Sequence, residues 1–533
     1  MANERIFSFL ERGLDDVLRA SHTFHHGGQK LKHKPFFAAM NLRDYEIYIL
    51  NAINGASTSR SLSSDHSTSG RVEVRMGDYD SGGMGRFTFD LPRDLSEEAS
   101  LHKIWFSSNE AFWDCVDDHA ARTYTAIGCK NIRDKFRIFS KEAPSISIAP
   151  EKSIEIDLEK YERIIKEASR EMWDGGKDIL NAVVSIVAQK EGKYFINSEG
   201  SKVFYDNLRY ATITTLAKVD KSGLIIPHAH AEYTDNPNGL PTYEQLIETG
   251  KRMKEELCDI LSSPQQKNGN FAAILDPQNH GVLWHEVVGH ALEANNMQED
   301  NEENSRCSLF IGKIGEKVAP SFITIEDDPT IQTMDGYFPF DDEGVKSRKT
   351  TLIDKGILRE YLHCRESAGF FRRKSNGHAR AQGANDPIAR MSNLIVRSSN
   401  EVPFDQLKEN LMRICHGKKT KYGLIFEGAS GGLTLPAESY FSTYPSKMYR
   451  LYTNGKMEQV RGAYLVGTPY QILNNIVQTS NERGIFRGLC GAESGWIPSA
   501  EEAPHVLVNN VEVNSLPNSS FTNVKKFVVK KKN

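Results

Sequence analysis

A polar break at residues 263–269 (Ser-Pro-Gln-Gln-Lys-Asn-Gly) separates two stretches of different texture. Ahead of it, amphipathic helix patterns flank a block of strand patterns; behind it, short apolar runs dominate, punctuated by Gly, Asn and Pro. The chain has 533 residues, and a single hydrophobic core stops growing at roughly 250–300 residues. Length and texture together predict two domains, 1–262 and 263–533.

In the first domain, Ile6, Leu10, Leu14, Val17 and Leu18 fall near one helical face. Residues 44–53 and 71–76 alternate as strands, and the Ser/Thr-rich stretch 56–69 between them reads as a loop or twisted hairpin arm. A helix-rich segment is expected over about 96–137. Asp157 is placed to cap a further helix whose stripe is Leu158, Tyr161, Ile164, Ile165, Ala168 and Met172. Residues 180–227 read as short strands in a meander, and Thr242 and Gln245 have capping-box spacing before a helix ending near Ser262. The pattern predicts an α+β fold with helices packed on a β-sheet. The second domain is expected to be β-rich, with one decisive helix at about 281–296.

The net charge of −4 carries no broad basic footprint, which argues against a nucleic-acid partner. No stretch approaches the ~20 apolar residues that span a bilayer, and the N-terminal pattern is charged and amphipathic, unlike a secretory signal. A cytoplasmic location without membrane contact is expected. The 7 cysteines are scattered without a CxxC pair, as suits free, buried thiols in a reducing compartment. The lysine-rich 525–532 stretch reads as a solvated tail or edge strand.

The chemically informative segment is His285-Glu-Val-Val-Gly-His290. Two imidazoles suit a borderline metal such as zinc, and the adjacent Glu286 can take a proton from activated water. In the HExxH pattern the histidines stand at i and i+4 on one helical face; here they stand at i and i+5. Five residues at about 100° each swing the second ring by about 140° past a full turn. A π-bulge would realign the two rings, and Gly289 tolerates such a distortion. A bulged or wide turn is therefore predicted.

A catalytic zinc needs a third protein ligand and an open position. Glu293 is the nearest candidate, but a regular continuation puts it off the ligand face. Cys490, flanked by glycines in Gly488-Leu-Cys-Gly491, reads from composition as either a small buried hydrophobe or a distant ligand. His228 and His230 stand at i and i+2 on one strand face without a third ligand nearby. Asp341-Asp342-Glu343 reads as a turn closed by Gly344 in preference to a cation site, and Asp117-Asp118-His119 as a solvated helix face.

The segment His285-Glu-Val-Val-Gly-His-Ala-Leu-Glu293 resembles the HExxxH metal motif of the TldD/PmbA metallopeptidases, some of them described as modulators of DNA gyrase. Further matches follow in the family's order: Gly312-Lys-Ile-Gly-Glu316, Asp327-Asp-Pro-Thr330, Asp341-Asp-Glu-Gly-Val345, Lys355-Gly-Ile-Leu358, Ala389-Arg-Met-Ser-Asn393, Gly431-Gly432, Arg461-Gly-Ala463 and Leu489-Cys-Gly491. The resemblance is good over about 270–510 and weaker before it. Residues 295–305, rich in acidic side chains, and 435–439 depart from the family pattern.

The resemblance implies zinc held by His285, His290 and Cys490, with Glu286 as general base. It also implies a homodimer, or a heterodimer with a related subunit, that cleaves unfolded peptides bound as extended strands. The competing expectations are a regulator that keeps the fold and binds peptides or proteins without cutting them, and a structural zinc site closed by a fourth protein ligand.

Overall fold

A computed structural model describes residues 2–19, 34–57, 65–127, 137–219, 225–297, 308–435 and 440–516. The readings of 298–304, 436–439 and 525–532 lie outside the described residues. So do Cys129 and Cys307; the five described cysteines, Cys115, Cys258, Cys364, Cys415 and Cys490, are free. No described helix is long and apolar enough to cross a membrane.

The fold is α+β. The first sheet has strand Phe37–Ile53 between Asp65–Met76 and Asn181–Asn197, with Gly83–Leu91 beyond the former and Lys202–Val219 beyond the latter. These neighbours are antiparallel; Ile225–Thr234 extends the sheet antiparallel to Lys202–Val219, and Ile146–Ile148 pairs with it in parallel. Side chains alternate between faces along a strand, and the even positions Ala38, Met40, Leu42, Leu50 and Ala52 pack under helices. Helices Ala2–Leu18 and Glu97–Ala126 cover one end of that face, and Leu158–Met172 and Tyr243–Ser262 cover the other. Asp157 caps its helix by accepting from the Lys160 N–H, and Thr242 and Gln245 form the full capping box.

The region 180–227 contains long strands of 17 and 18 residues, not a set of short ones. Lys190 and Lys193, which look like breaks in the pattern, are held within the sheet by ion pairs to Glu46 and Glu151 and to Asp342. Strand Phe37–Ile53 likewise starts earlier than its alternation suggests.

The opposite, odd face meets the second half of the chain. Phe37, Ala39, Phe195 and Tyr205 pack with Phe338, and Arg43 Nη2 lies 2.7 Å from Asp342 Oδ1, with Lys193 Nζ at 3.2 Å. The acidic run is indeed a turn, Asp341 accepting from the Glu343 and Val345 N–H groups with Gly344 at φ +74°. Its charge is also a joint between the two sheets. Removing one partner of such a buried pair strands the other, a strong penalty.

In the second half, strands Gly495–Ser515, Ala463–Gly467, Tyr440–Tyr452, Tyr422–Leu435 and Gly269–Leu275 pair in that order, and the last pairs back with the first to close a ring. Strand Asn393–Ser398 runs parallel to Gly495–Ser515 and leads to Ile323–Asp327 and Thr350–Asp354. Helix Phe404–Gly417, not anticipated from sequence, covers Ala272, Ile274, Ile425 and Leu507 with Leu407, Leu411 and Cys415. Those three side chains carry the i, i+4, i+8 signal that could have found it. On the ring's other side lie Trp284, Val287 and Val288 of the histidine-bearing helix.

Candidate metal centre

Asp276 starts this helix by accepting from the Asn279 N–H at 2.9 Å, and Pro277 occupies its first turn. The helix is regular through Trp284 and then widens: residues His285–Gly289 form a π-turn in which the His290 N–H donates to the His285 carbonyl. The bulge expected from the i, i+5 spacing is present. A Cβ placed on Gly289 would stand 1.9 Å from Met391 Sδ, so this glycine also admits the neighbouring loop. His280 anchors the helix. Trp284 Nε1–H donates to its Nε2 at 2.7 Å, its Nδ1 lies 2.7 Å from the Pro504 carbonyl, and burial lowers its pKa to about 3.

The widened turn faces both rings one way, and the hairpin of strands Ile476–Ala492 and Gly495–Ser515 delivers Cys490 to them. Cys490 Sγ lies 3.2 Å from His285 Nε2 and 3.4 Å from His290 Nε2. The three donor atoms all fall within 4.8 Å of one another and all three residues are buried.

The outer atoms of each ring are also committed. His285 Nδ1 lies 2.6 Å from Glu501 Oε1, and His290 Nδ1 lies 3.0 Å from Glu293 Oε2. Glu501 reaches its ring because Gly281 has no Cβ; one built there would stand 2.8 Å from Glu501 Cβ. Nδ1–H donation to a carboxylate fixes the tautomer that leaves the Nε2 lone pair facing inward. Glu293, weighed as a third ligand, instead backs His290 and accepts from the Met391 N–H at 3.3 Å. Arg390 donates through Nη2 to Cys490 Sγ at 3.0 Å. Glu501 and Arg390 were missed in the sequence reading; Arg390 lies in a motif singled out there, whereas nothing local marks Glu501.

Burial opposes every charge in this cluster, but the charges outweigh it. Cys490 and Glu501 hold the His285 ring well above its ordinary value, and Cys490 and Glu293 hold His290 at about 10. His290, His285 and Arg390 draw the Cys490 thiol well below its ordinary value. A site that favours thiolate beside two imidazoles is one a cation can enter by displacing ring protons. Two nitrogens and one sulfur backed by charged partners fit a zinc-type ion, with one position left over.

Glu286 is buried beside these donors, and burial raises its carboxyl above the ordinary range. A Cβ on Gly432 would stand 2.6 Å from Glu286 Cγ, so strand Tyr422–Leu435 passes directly over the carboxylate. A cavity of ≈ 1620 Å³ opens here, lined by Glu286, Gly432, Leu489, Trp496 and the four cluster residues His285, His290, Cys490 and Glu501. His228 and His230 line its far wall, where His228 is paired with Glu256 at 2.7 Å and His230 with Glu232 at 2.9 Å. The structure does not bring them to the cluster. Asp118 is likewise engaged, accepting from the Met84 N–H and from Arg122.

Residues 268–515 match the PmbA/TldA metallopeptidase C-terminal domain family. A metalloprotease of Methanothermobacter thermautotrophicus is 29% identical over 335 residues, covering 63% of this chain and 70% of that protein. A metalloprotease of Methanocaldococcus jannaschii is 29% identical over 370 residues, covering 69% and 75%. A zinc metalloprotease TldD homolog of Saccharolobus solfataricus is 26% identical, covering 49% and 55%. In fold, a Thermotoga maritima chain described in terms of DNA gyrase modulation superposes with a TM-score of 0.63 at 16% identity, covering 94% of this chain and 99% of that one.

Proposed function

We propose that this chain, which belongs to the TldD/PmbA family, is a zinc-dependent peptidase with His285, His290 and Cys490 as ligands and Glu286 as general base. The observation that carries this reading is the convergence of the three donor atoms within 4.8 Å of one another in a cavity that Glu286 also lines. The preference for zinc rests on the nitrogen and sulfur donors and on the name of one relative.

When bound, the ion supplies Lewis-acid activation of water and of the scissile carbonyl. Glu286 takes the proton from the attacking water as the new C–O bond forms, then passes it to the departing amine as the C–N bond breaks. Glu501 and Glu293 hold the two rings in register throughout.

The substrate class that fits the cavity is an unfolded peptide. Strand Tyr422–Leu435 pairs with Gly269–Leu275 only over Leu424–Phe426; Asp276 and Gln278 accept from its Gly428 and Ala429 N–H groups, and beyond Ala429 its only strand partner among the described residues is Tyr440–Tyr452. A strand edge of this kind binds extended peptides through main-chain hydrogen bonds, with little demand on side chains. We assign the chemistry to a catalytic domain of residues 263–533, beside an N-terminal domain of 1–262, in a cytoplasmic dimer formed with itself or a related subunit.

The test is metal removal. Protein stripped by a chelator should lose cleavage of an unstructured peptide mixture and regain it with one equivalent of zinc. Undiminished cleavage by metal-free protein overturns the reading.

A further inference from the structure

Arg390 is buried at the back of the cluster, and one guanidinium reaches two of the three donor residues' surroundings. Nη2 donates to Cys490 Sγ at 3.0 Å and to the Cys490 carbonyl at 2.8 Å. Nε lies 3.5 Å from Glu293 Oε1, the carboxylate whose other oxygen faces His290 Nδ1 at 3.0 Å. Nη1 holds the turn after Cys490, donating to Ser494 Oγ at 2.8 Å and the Gly495 carbonyl at 3.2 Å.

The loop that carries Arg390 is itself tied down. The Met391 N–H donates to Glu293 Oε1, and the Ser392 N–H donates to the buried Asp327 carboxylate at 3.0 Å, with Ser392 Oγ on the same group. Arg390 therefore cannot swing away from the sulfur without breaking buried hydrogen bonds, each costly to leave unmade.

A thiolate donates more electron density than an imidazole and so weakens the Lewis acidity of the ion it binds. A charge-assisted hydrogen bond to that sulfur opposes the donation. Resting on the zinc reading above, we propose that Arg390 is the positioning residue of the centre: it fixes Cys490 Sγ toward the two rings and draws electron density off the sulfur. Glu501 and Glu293 strengthen the two imidazoles as donors, while Arg390 moderates the thiolate. The three outer partners thus act in opposite senses on nitrogen and on sulfur.

Cobalt-substituted protein reads this directly, because the sulfur-to-cobalt charge-transfer band reports the donor strength of the thiolate without any turnover. Arg390→Gln should move the band to lower energy, and the lost hold on Cys490 should outweigh the stronger donor and weaken cobalt binding about 10–100-fold. Arg390→Lys, which keeps the charge and one donor in a smaller perturbation of the core, should fall between. Ser494→Ala removes only the turn contact and should leave the band in place.

A wild-type band position in either folded Arg390 variant overturns the proposal, as does an equal shift in Ser494→Ala. Loss of folding in Arg390→Gln leaves Arg390→Lys to decide. Should wild-type protein bind no cobalt, or bind it without a sulfur band, the metal reading fails instead; a sulfur band indifferent to Arg390 removes only this inference.

Discussion

Cys490 Sγ lies 3.2 Å from His285 Nε2 across 205 positions of sequence. The closure depends on strand Gly495–Ser515, which pairs with the cysteine strand and packs against the histidine helix where Gly281 meets Glu501. If this contact is a metal site, Cys490→Ala should purify folded but with little bound zinc, since only two ligands remain. Elemental analysis of the gel-filtered variant checks this; full zinc content would remove Cys490 from the ligand set.

Gly289→Ala puts a methyl group into Met391 Sδ. Overpacking of this kind costs about 1–3 kcal/mol. Urea unfolding should show that loss, and Met391→Ala in the same background should recover part of it, a non-additivity expected of touching residues. Additive losses would mean that the two side chains do not compete for one space.

Gly432→Ala presses on Glu286, because the added Cβ would stand 2.6 Å from its Cγ and 2.7 Å from its Oε1. Displacing a reacting group by about 1 Å can cost 10²-fold in rate. Peptidase kcat should fall by about that factor while zinc content holds. A variant with unchanged kcat would place Glu286 outside the chemistry.

Glu343 and its buried neighbour Asp341, both raised by burial, give the fold a pH dependence above the acid range. Burial pushes the Glu343 carboxyl up to about 7, against the hydrogen bond from the Arg365 N–H and with Glu73 adding to the rise. The native state then holds a proton that the unfolded chain releases near its ordinary value of 4.5. Stability contributed by this group falls as pH rises from there to about 7. Glu343→Gln, which cannot titrate, should lessen the fall across that window. Denaturant titrations at pH values spanning it decide the matter, and parallel curves for both proteins would contradict the assignment.

Local chemistry was readable in the sequence wherever it depends on near neighbours. The i, i+5 histidine spacing with Gly289 foretold the π-turn, and Thr242 with Gln245 foretold a capping box. Strand lengths were not readable, because Lys190 and Lys193 become strand residues only through partners on other elements. Cys490 was reached by family resemblance, its glycine-rich surroundings by themselves favouring a small buried structural thiol. Glu501 carries no local mark at all: it meets His285 through sheet register and the missing Cβ of Gly281. Helix Phe404–Gly417 had a legible apolar stripe that the β-rich texture around it obscured.

The most direct test of the catalytic claim is Glu286→Gln assayed in one preparation for bound zinc and for cleavage of unstructured peptides. Zinc at the wild-type ratio, with kcat/KM lowered about 10²–10⁴-fold, is the predicted result. A zinc-loaded variant that cuts as fast as the wild type would contradict the account.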